Sequence, residues 1–126
     1  MIELNLHEVL KSVEALKMLA SRSFPARVAF QIARLSREVQ KENNLFEQQR
    51  NELIKKYCSY DEDGNVKYNE QHYIEFEPDK WPLFENELNA LLDTTVQLNV
   101  EPIDLQELGD MQFSPEQMMK IMPLLR

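Results

Sequence analysis

Apolar positions in this chain recur mostly at helical spacing, with short stretches where they alternate instead. Ile2-Glu3-Leu4 alternates and predicts a short strand. Asn5, with Glu8 three residues on, reads as a helix N-cap and its reciprocal partner. The spacing then predicts a helix to about Ala20, with Val9, Val13, Leu16 and Ala20 on one face. Ser21-Arg22-Ser23-Phe24-Pro25 breaks it, and Pro25 suits the first turn of a second helix. From there to Tyr57 neither Gly nor Pro occurs. Val28, Ile32, Leu35, Val39, Phe46 and Leu53 keep helical register, while Glu42 and Gln49 interrupt the apolar stripe. Such a helix has about 33 residues and is roughly 50 Å long. It is much longer than the first helix, so its C-terminal half needs another partner.

Asp61-Glu62-Asp63-Gly64-Asn65 is the sharpest turn signal. Tyr57, Tyr60, Val66, Tyr68 and Tyr73 flank it, which predicts a β-hairpin. Asp79 is placed to cap a third helix, with Pro82 in its first turn and Phe84, Leu88, Leu91 and Leu92 on its apolar face. Val96, Leu98 and Val100 alternate with polar residues as a strand does, and Ile103 and Leu105 alternate after Pro102. Ser114-Pro115-Glu116-Gln117 opens a last helix with a cap, a proline and a capping-box glutamine; Pro123 ends it. No internal repeat, low-complexity tract or Ser/Gly linker is evident. The expected fold is α+β, mainly α: a helical hairpin with a long spine helix, a third and a C-terminal helix, and a small antiparallel β element. A chain of 126 residues is expected to form a single domain, 1–126.

Composition narrows the function more than it names it. Two glycines argue against a phosphate-binding loop, a dinucleotide fold and a many-stranded barrel. Fourteen basic against twenty-two acidic residues give −8, which disfavours nucleic acid and anionic membranes as direct partners. The charge is split: residues 1–57 carry +3 and residues 58–126 carry −11. The two halves either attract each other or face different partners. Cys58 stands alone, so no intrachain disulfide forms and a reducing compartment fits. No apolar run approaches the ~20 residues of a membrane span. Met1-Ile2-Glu3-Leu4-Asn5 lacks the basic start and apolar stretch of a signal peptide. A cytoplasmic protein is expected.

Candidate chemistry is sparse. Counting Gly64 as position 6 of an EF-hand loop puts Asp61, Asp63 and Glu70 on positions 3, 5 and 12. Position 1 is then Ser59 and position 9 is Lys67, a cation, so a hairpin turn is the better reading. His7 and His72 lack partners at metal spacing, and Cys58 lacks an evident activating base. Nothing marks a general acid/base pair, so no enzyme, metal or cofactor is expected.

Surfaces carry more. Arg27, Phe30, Arg34, Arg37 and Lys41 share one arc of the spine helix, away from its apolar stripe. A basic stripe holding an aromatic ring suits an acidic protein surface or a nucleic-acid backbone. The plainer reading is a solvated face, or one paired with the acidic half. Asp61, Glu62 and Asp63 form a second, acidic candidate face. The acidic half could imitate the phosphate row of DNA, although most acidic surfaces serve solubility. Met111, Met118, Met119 and Met122 read as core or oligomer contact. Trp81 reads as an interface anchor or as a cover over its own helix start.

The order of pieces resembles a family of small tailed-bacteriophage proteins catalogued as domain of unknown function 1617. The resemblance is carried by Ile2-Glu3-Leu4-Asn5, by Val9-Leu10-Lys11-Ser12-Val13-Glu14-Ala15-Leu16 and by the helix end Glu47-Gln48-Gln49-Arg50-Asn51-Glu52-Leu53-Ile54-Lys55-Lys56-Tyr57. The 61–65 turn, Phe84-Glu85-Asn86-Glu87-Leu88-Asn89-Ala90-Leu91-Leu92, Val96-Gln97-Leu98-Asn99-Val100 and Phe113-Ser114-Pro115 complete it. It implies a phage origin and a life in the cytoplasm of the infected bacterial host, and it carries over no catalytic or ligand residue. The expected function is a non-catalytic module that binds and inhibits a host defence or regulatory protein by steric or electrostatic blocking. The alternative is an assembly or accessory protein that binds a virion component. The expected partner is thus a host or phage protein, and the long, partly exposed helix makes a homodimer plausible.

Overall fold

In the computed structural model, which describes residues 1–126, the elements are β1 (Ile2–Asn5), α1 (Leu6–Ala20), α2 (Ala26–Tyr57), α3 (Trp81–Leu92), β2 (Thr95–Leu98) and α4 (Pro115–Ile121). Short 3-10 turns cover Leu105–Leu108 and Met122–Leu124. The architecture is α+β and mainly α, with one two-stranded antiparallel sheet. The chain divides into two compact units. The first is Met1–Asn44 with Asp93–Arg126, and the second is Leu45–Leu92. Residues 26–44 of α2 belong to the first unit and residues 45–57 to the second.

The first unit is organised by its sheet. β1 and β2 pair Ile2 with Leu98, Glu3 with Gln97, Leu4 with Val96 and Asn5 with Thr95. This register puts all four apolar side chains on the buried face. Asn5 is both the last strand residue and the cap of α1. Its Oδ1 accepts from the Glu8 N–H at 2.8 Å, and the Glu8 carboxylate accepts from the Asn5 N–H at 3.3 Å. The strand therefore turns into the helix without a loop. Ser114 and Gln117 form the same reciprocal box at the start of α4, with Pro115 as first helical residue.

The core of this unit joins Leu6, Val9, Leu16 and Leu19 of α1 to Val28, Ile32, Leu35 and Val39 of α2. Ile103, Leu108, Ile121 and Leu124 cover them from the C-terminal segment. The buried face of α1 is rotated from the expected one. Val13 is only half-buried and Ala20 is exposed, whereas Leu6, Ser12, Ala15 and Leu19 are buried. Ser12 hid this face from the hydrophobic pattern. Its hydroxyl donates to the Val9 carbonyl at 2.6 Å, which satisfies it inside the core. Ile103 and Leu105 do not extend a strand ladder. Ile103 makes one parallel bridge to Leu125, held by Ile103 N–H to Leu124 O and Arg126 N–H to Ile103 O. Leu105 is exposed, donates its N–H to Arg126 O at 3.1 Å, and opens a 3-10 turn that ends on the buried Leu108.

The second unit contains the expected hairpin turn at 61–65, closed by the antiparallel bridge of Tyr60 with Val66, and builds it into a larger, more regular arrangement. Three backbone hydrogen bonds close a ring: Lys67 N–H to Ser59 O, Glu75 N–H to Lys67 O, and Ser59 N–H to Glu75 O, at 2.8–2.9 Å. The three residues are eight apart. The antiparallel bridges obey the same period: Tyr60 with Val66, Tyr68 with Ile74, and Cys58 with Phe76 to close the circle. Between the bridges lie two five-residue turns of one design. Asp61 Oδ1 accepts from the N–H groups of Asp63 and Asn65, and Asn69 Oδ1 accepts from those of Gln71 and Tyr73. Gly64 N–H donates to Asp61 O as His72 N–H does to Asn69 O. Lys80 N–H to Glu77 O begins a third copy. Glu77 is one methylene longer than Asp or Asn, and here the chain passes into α3 instead, with Trp81 N–H also on Glu77 O. An eight-residue repeat is therefore present where none was expected. Besides the turn positions 61/69/77 and 64/72/80, an aromatic recurs at Tyr60/Tyr68/Phe76, a glutamate at Glu62/Glu70 and a β-branched residue at Val66/Ile74. The helix it leads into starts after Lys80, whose carbonyl accepts from Phe84, rather than after Asp79.

The fourth turn position demands a left-handed backbone. Gly64 has φ 82° and tolerates it; His72 has φ 65° and carries a Cβ. His72→Gly is expected to stabilise the chain by about 0.5–1 kcal/mol. Urea unfolding checks this, and an unchanged or lower midpoint would mean that the His72 backbone is not strained.

Candidate functional site

Helical geometry builds the first candidate face. With Val28, Ile32, Leu35 and Val39 buried, residues offset from them by half a turn must point outward. Arg27, Phe30, Arg34, Arg37 and Lys41 are all exposed. The structure therefore brings these five sequence-derived candidates onto one outer face of α2. Their environments differ. Arg27 donates to Glu107 Oε1 at 2.6 Å, so the acidic C-terminal segment has already claimed the first position. Phe30 leaves 64% of its surface exposed, and the Arg34 guanidinium lies over its ring, 5.9 Å from the centroid. Arg34, Arg37 and Lys41 take part in no ion pair.

Arg34 also lines a cleft of about 260 Å³ with Met1, Gln31, Asn99, Val100 and Glu101. The Gln31 Oε1 is buried there without a hydrogen-bond partner. Sequence reasoning missed Gln31 because it reads as one more polar residue of a solvated helix.

The acidic candidates divide likewise. Asp61 is committed to its own turn through Oδ1, whereas Glu62 and Asp63 are exposed with no ion pair. No group of three His, Cys, Asp or Glu side chains is arranged to hold a metal ion. Glu70, the twelfth position of the calcium count, sits in the second turn of the ring. The same ring displays aromatic side chains assigned above only to strand propensity. Tyr60, Tyr68 and Tyr73 are 48%, 58% and 68% exposed. The Tyr60 hydroxyl donates to the Lys55 carbonyl, and its hydrogen bond with Cys58 holds the phenol above its usual pKa.

Packing bears on two further expectations. The methionines are not core: Met119 and Met122 are exposed, Met111 and Met118 half-buried, and Ile121 and Leu124 fill the interior instead. Trp81 covers the start of α3, its ring 5.2 Å from Phe76 and 5.6 Å from Phe84.

The charge split of the sequence is redistributed by folding. The acidic C-terminal segment belongs to the same unit as the basic start of α2, and Glu107 neutralises Arg27 there. That unit carries −2, and the second unit, with five basic and eleven acidic residues, carries −6. The chain thus displays an exposed cationic helix face and a strongly acidic, tyrosine-bearing ring. No helix is long and apolar enough to cross a membrane. Comparisons with protein-family models, with curated proteins and with solved structures find no match.

Proposed function

We propose that this chain is a non-catalytic protein-binding module of a tailed bacteriophage. It acts in the cytoplasm of the infected bacterium and inhibits a host defence or regulatory protein by covering a functional site. The observation that carries the reading is the exposed stripe of Phe30, Arg34, Arg37 and Lys41 on α2. Phe30 leaves 64% of its surface exposed beside three cations that form no ion pair. The stripe has the composition of an interface anchor, in which an aromatic ring and arginines dominate binding. The phage assignment draws its support from the family resemblance of the sequence.

The test is a tagged pull-down of the chain from phage-infected cells, read by mass spectrometry, beside the double variant Arg34→Glu and Arg37→Glu. A host nuclease, defence complex or transcription factor is expected in stoichiometric amount with the parent chain. Reversing two central charges is expected to reduce that capture by about tenfold or more, with the circular dichroism spectrum unchanged. Equal capture by both chains would remove the stripe from the mechanism. A virion component in place of a host protein would make the chain an assembly factor.

A further inference from the structure

We propose that the α2 stripe also receives a second copy of this chain, whose 61–74 ring segment docks on it. The inference rests on the reading of the stripe as a binding face and names one occupant for it. The carboxylate chemistry is already used there once: Glu107 pairs with Arg27 at the head of the same row. Behind it, Arg34, Arg37 and Lys41 repeat the cation without the carboxylate. The unpaired carboxylates Glu62, Asp63 and Glu70 stand on the ring of the second unit. Tyr68 and Tyr73 stand exposed on the same ring, and Phe30 stands exposed on the stripe. Each surface thus offers what the other lacks, carboxylates to guanidinium groups and phenol rings to cations.

The turns are prepared for such a contact. Their backbones are fixed by the Asp61 and Asn69 side chains, so little freedom is lost when they dock. A single stripe-and-ring contact is small against the ~800 Å² per partner of a stable complex. A twofold pair makes the contact twice, because each copy owns one of each surface. The −8 on each chain opposes approach, so association is expected at roughly tens of micromolar rather than below.

The experiment uses the full chain in sedimentation equilibrium from about 1 μM to 1 mM. The mass is expected to rise from 14.9 kDa toward twice that value. Two variants are compared, R34E/R37E and E62R/D63R, each checked for parental circular dichroism. Each alone is expected to dimerise at least about tenfold more weakly. Mixed one to one, they are expected to recover parental affinity, since reversed stripe then meets reversed ring and the native pair is kept at the other contact. A parental mass of 14.9 kDa at every concentration would overturn the proposal. So would unaltered dimers of both variants, or a mixture no tighter than its components. A monomeric chain that still captures a host protein through the stripe would end the dimer and leave the proposed function standing. A dimer that captures nothing from infected cells would do the reverse.

Discussion

Leu98→Ala is expected to destabilise the first unit by about 3–5 kcal/mol, the upper part of the range for a buried leucine. Leu98 is wholly buried and faces Ile2 across the sheet. A two-stranded sheet is only marginally stable by itself and depends on the side chains packed on its inner face. Truncating Leu98 removes apolar area and leaves a cavity that β1 cannot fill, because Asn5 ties β1 rigidly to the start of α1. Against a total stability of about 5–15 kcal/mol, the loss is a large share. Urea unfolding followed by far-ultraviolet circular dichroism measures it. The exposed neighbour Gln97→Ala is the control and is expected to shift stability by less than about 0.5 kcal/mol. A Leu98→Ala loss no larger than the control's would show that the sheet face does not anchor the core.

The helices were legible in the sequence because local chemistry defines their ends. Asn5 and Glu8, Ser114 and Gln117, and the proline at 115 act within four residues of where they stand. The 32-residue α2 was legible because nothing in it breaks a helix. What failed depended on partners distant in sequence. The buried face of α1 turns on what lies against Ser12, which no local pattern reports. Ile103 pairs with the chain end rather than with a neighbouring strand. The ring of the second unit failed for another reason. Its repeat is written in the sequence as Tyr60/Tyr68/Phe76, Glu62/Glu70 and Val66/Ile74, but it runs for little more than two copies and its turn positions change, Asp61 to Asn69 and Gly64 to His72.

The candidate site was legible to the same depth. Helical periodicity alone places Phe30, Arg34, Arg37 and Lys41 on one face, because a helix with a buried stripe fixes its opposite side. The capture of Arg27 by Glu107 was not legible, since it joins residues 80 apart. The commitment of Asp61 Oδ1 to its own turn agrees with the turn signal at 61–65, and Asp61 remains exposed beside Glu62 and Asp63.

Phe84→Ala is expected to cost the second unit about 3–5 kcal/mol and to unfold it ahead of the first. Burial decides this. Of the buried apolar residues, eighteen lie in the first unit and three in the second, namely Phe46, Cys58 and Phe84. Phe84 also holds the aromatic cluster together, with its ring centroid 4.8 Å from Phe76 and 5.6 Å from Trp81. Such ring pairs add about 0.5–1.5 kcal/mol each beyond their area. The closed ring of backbone bonds cannot compensate. Its donors and acceptors bond to water once the apolar floor is gone, and the net worth of each bond is only about 1 kcal/mol. Trp81 is the only tryptophan and sits in this cluster, so its fluorescence reports on the second unit alone. In the variant, the fluorescence transition is expected at lower urea than the circular dichroism transition, which the helices of both units dominate. Hydrogen exchange is expected to speed up over residues 58–92 while residues 6–20 keep their protection. Phe84→Leu keeps most of the volume and is expected to move the two transitions apart by much less. Coincident transitions in Phe84→Ala would show instead that both units unfold as one, with α2, which runs through both, transmitting the loss.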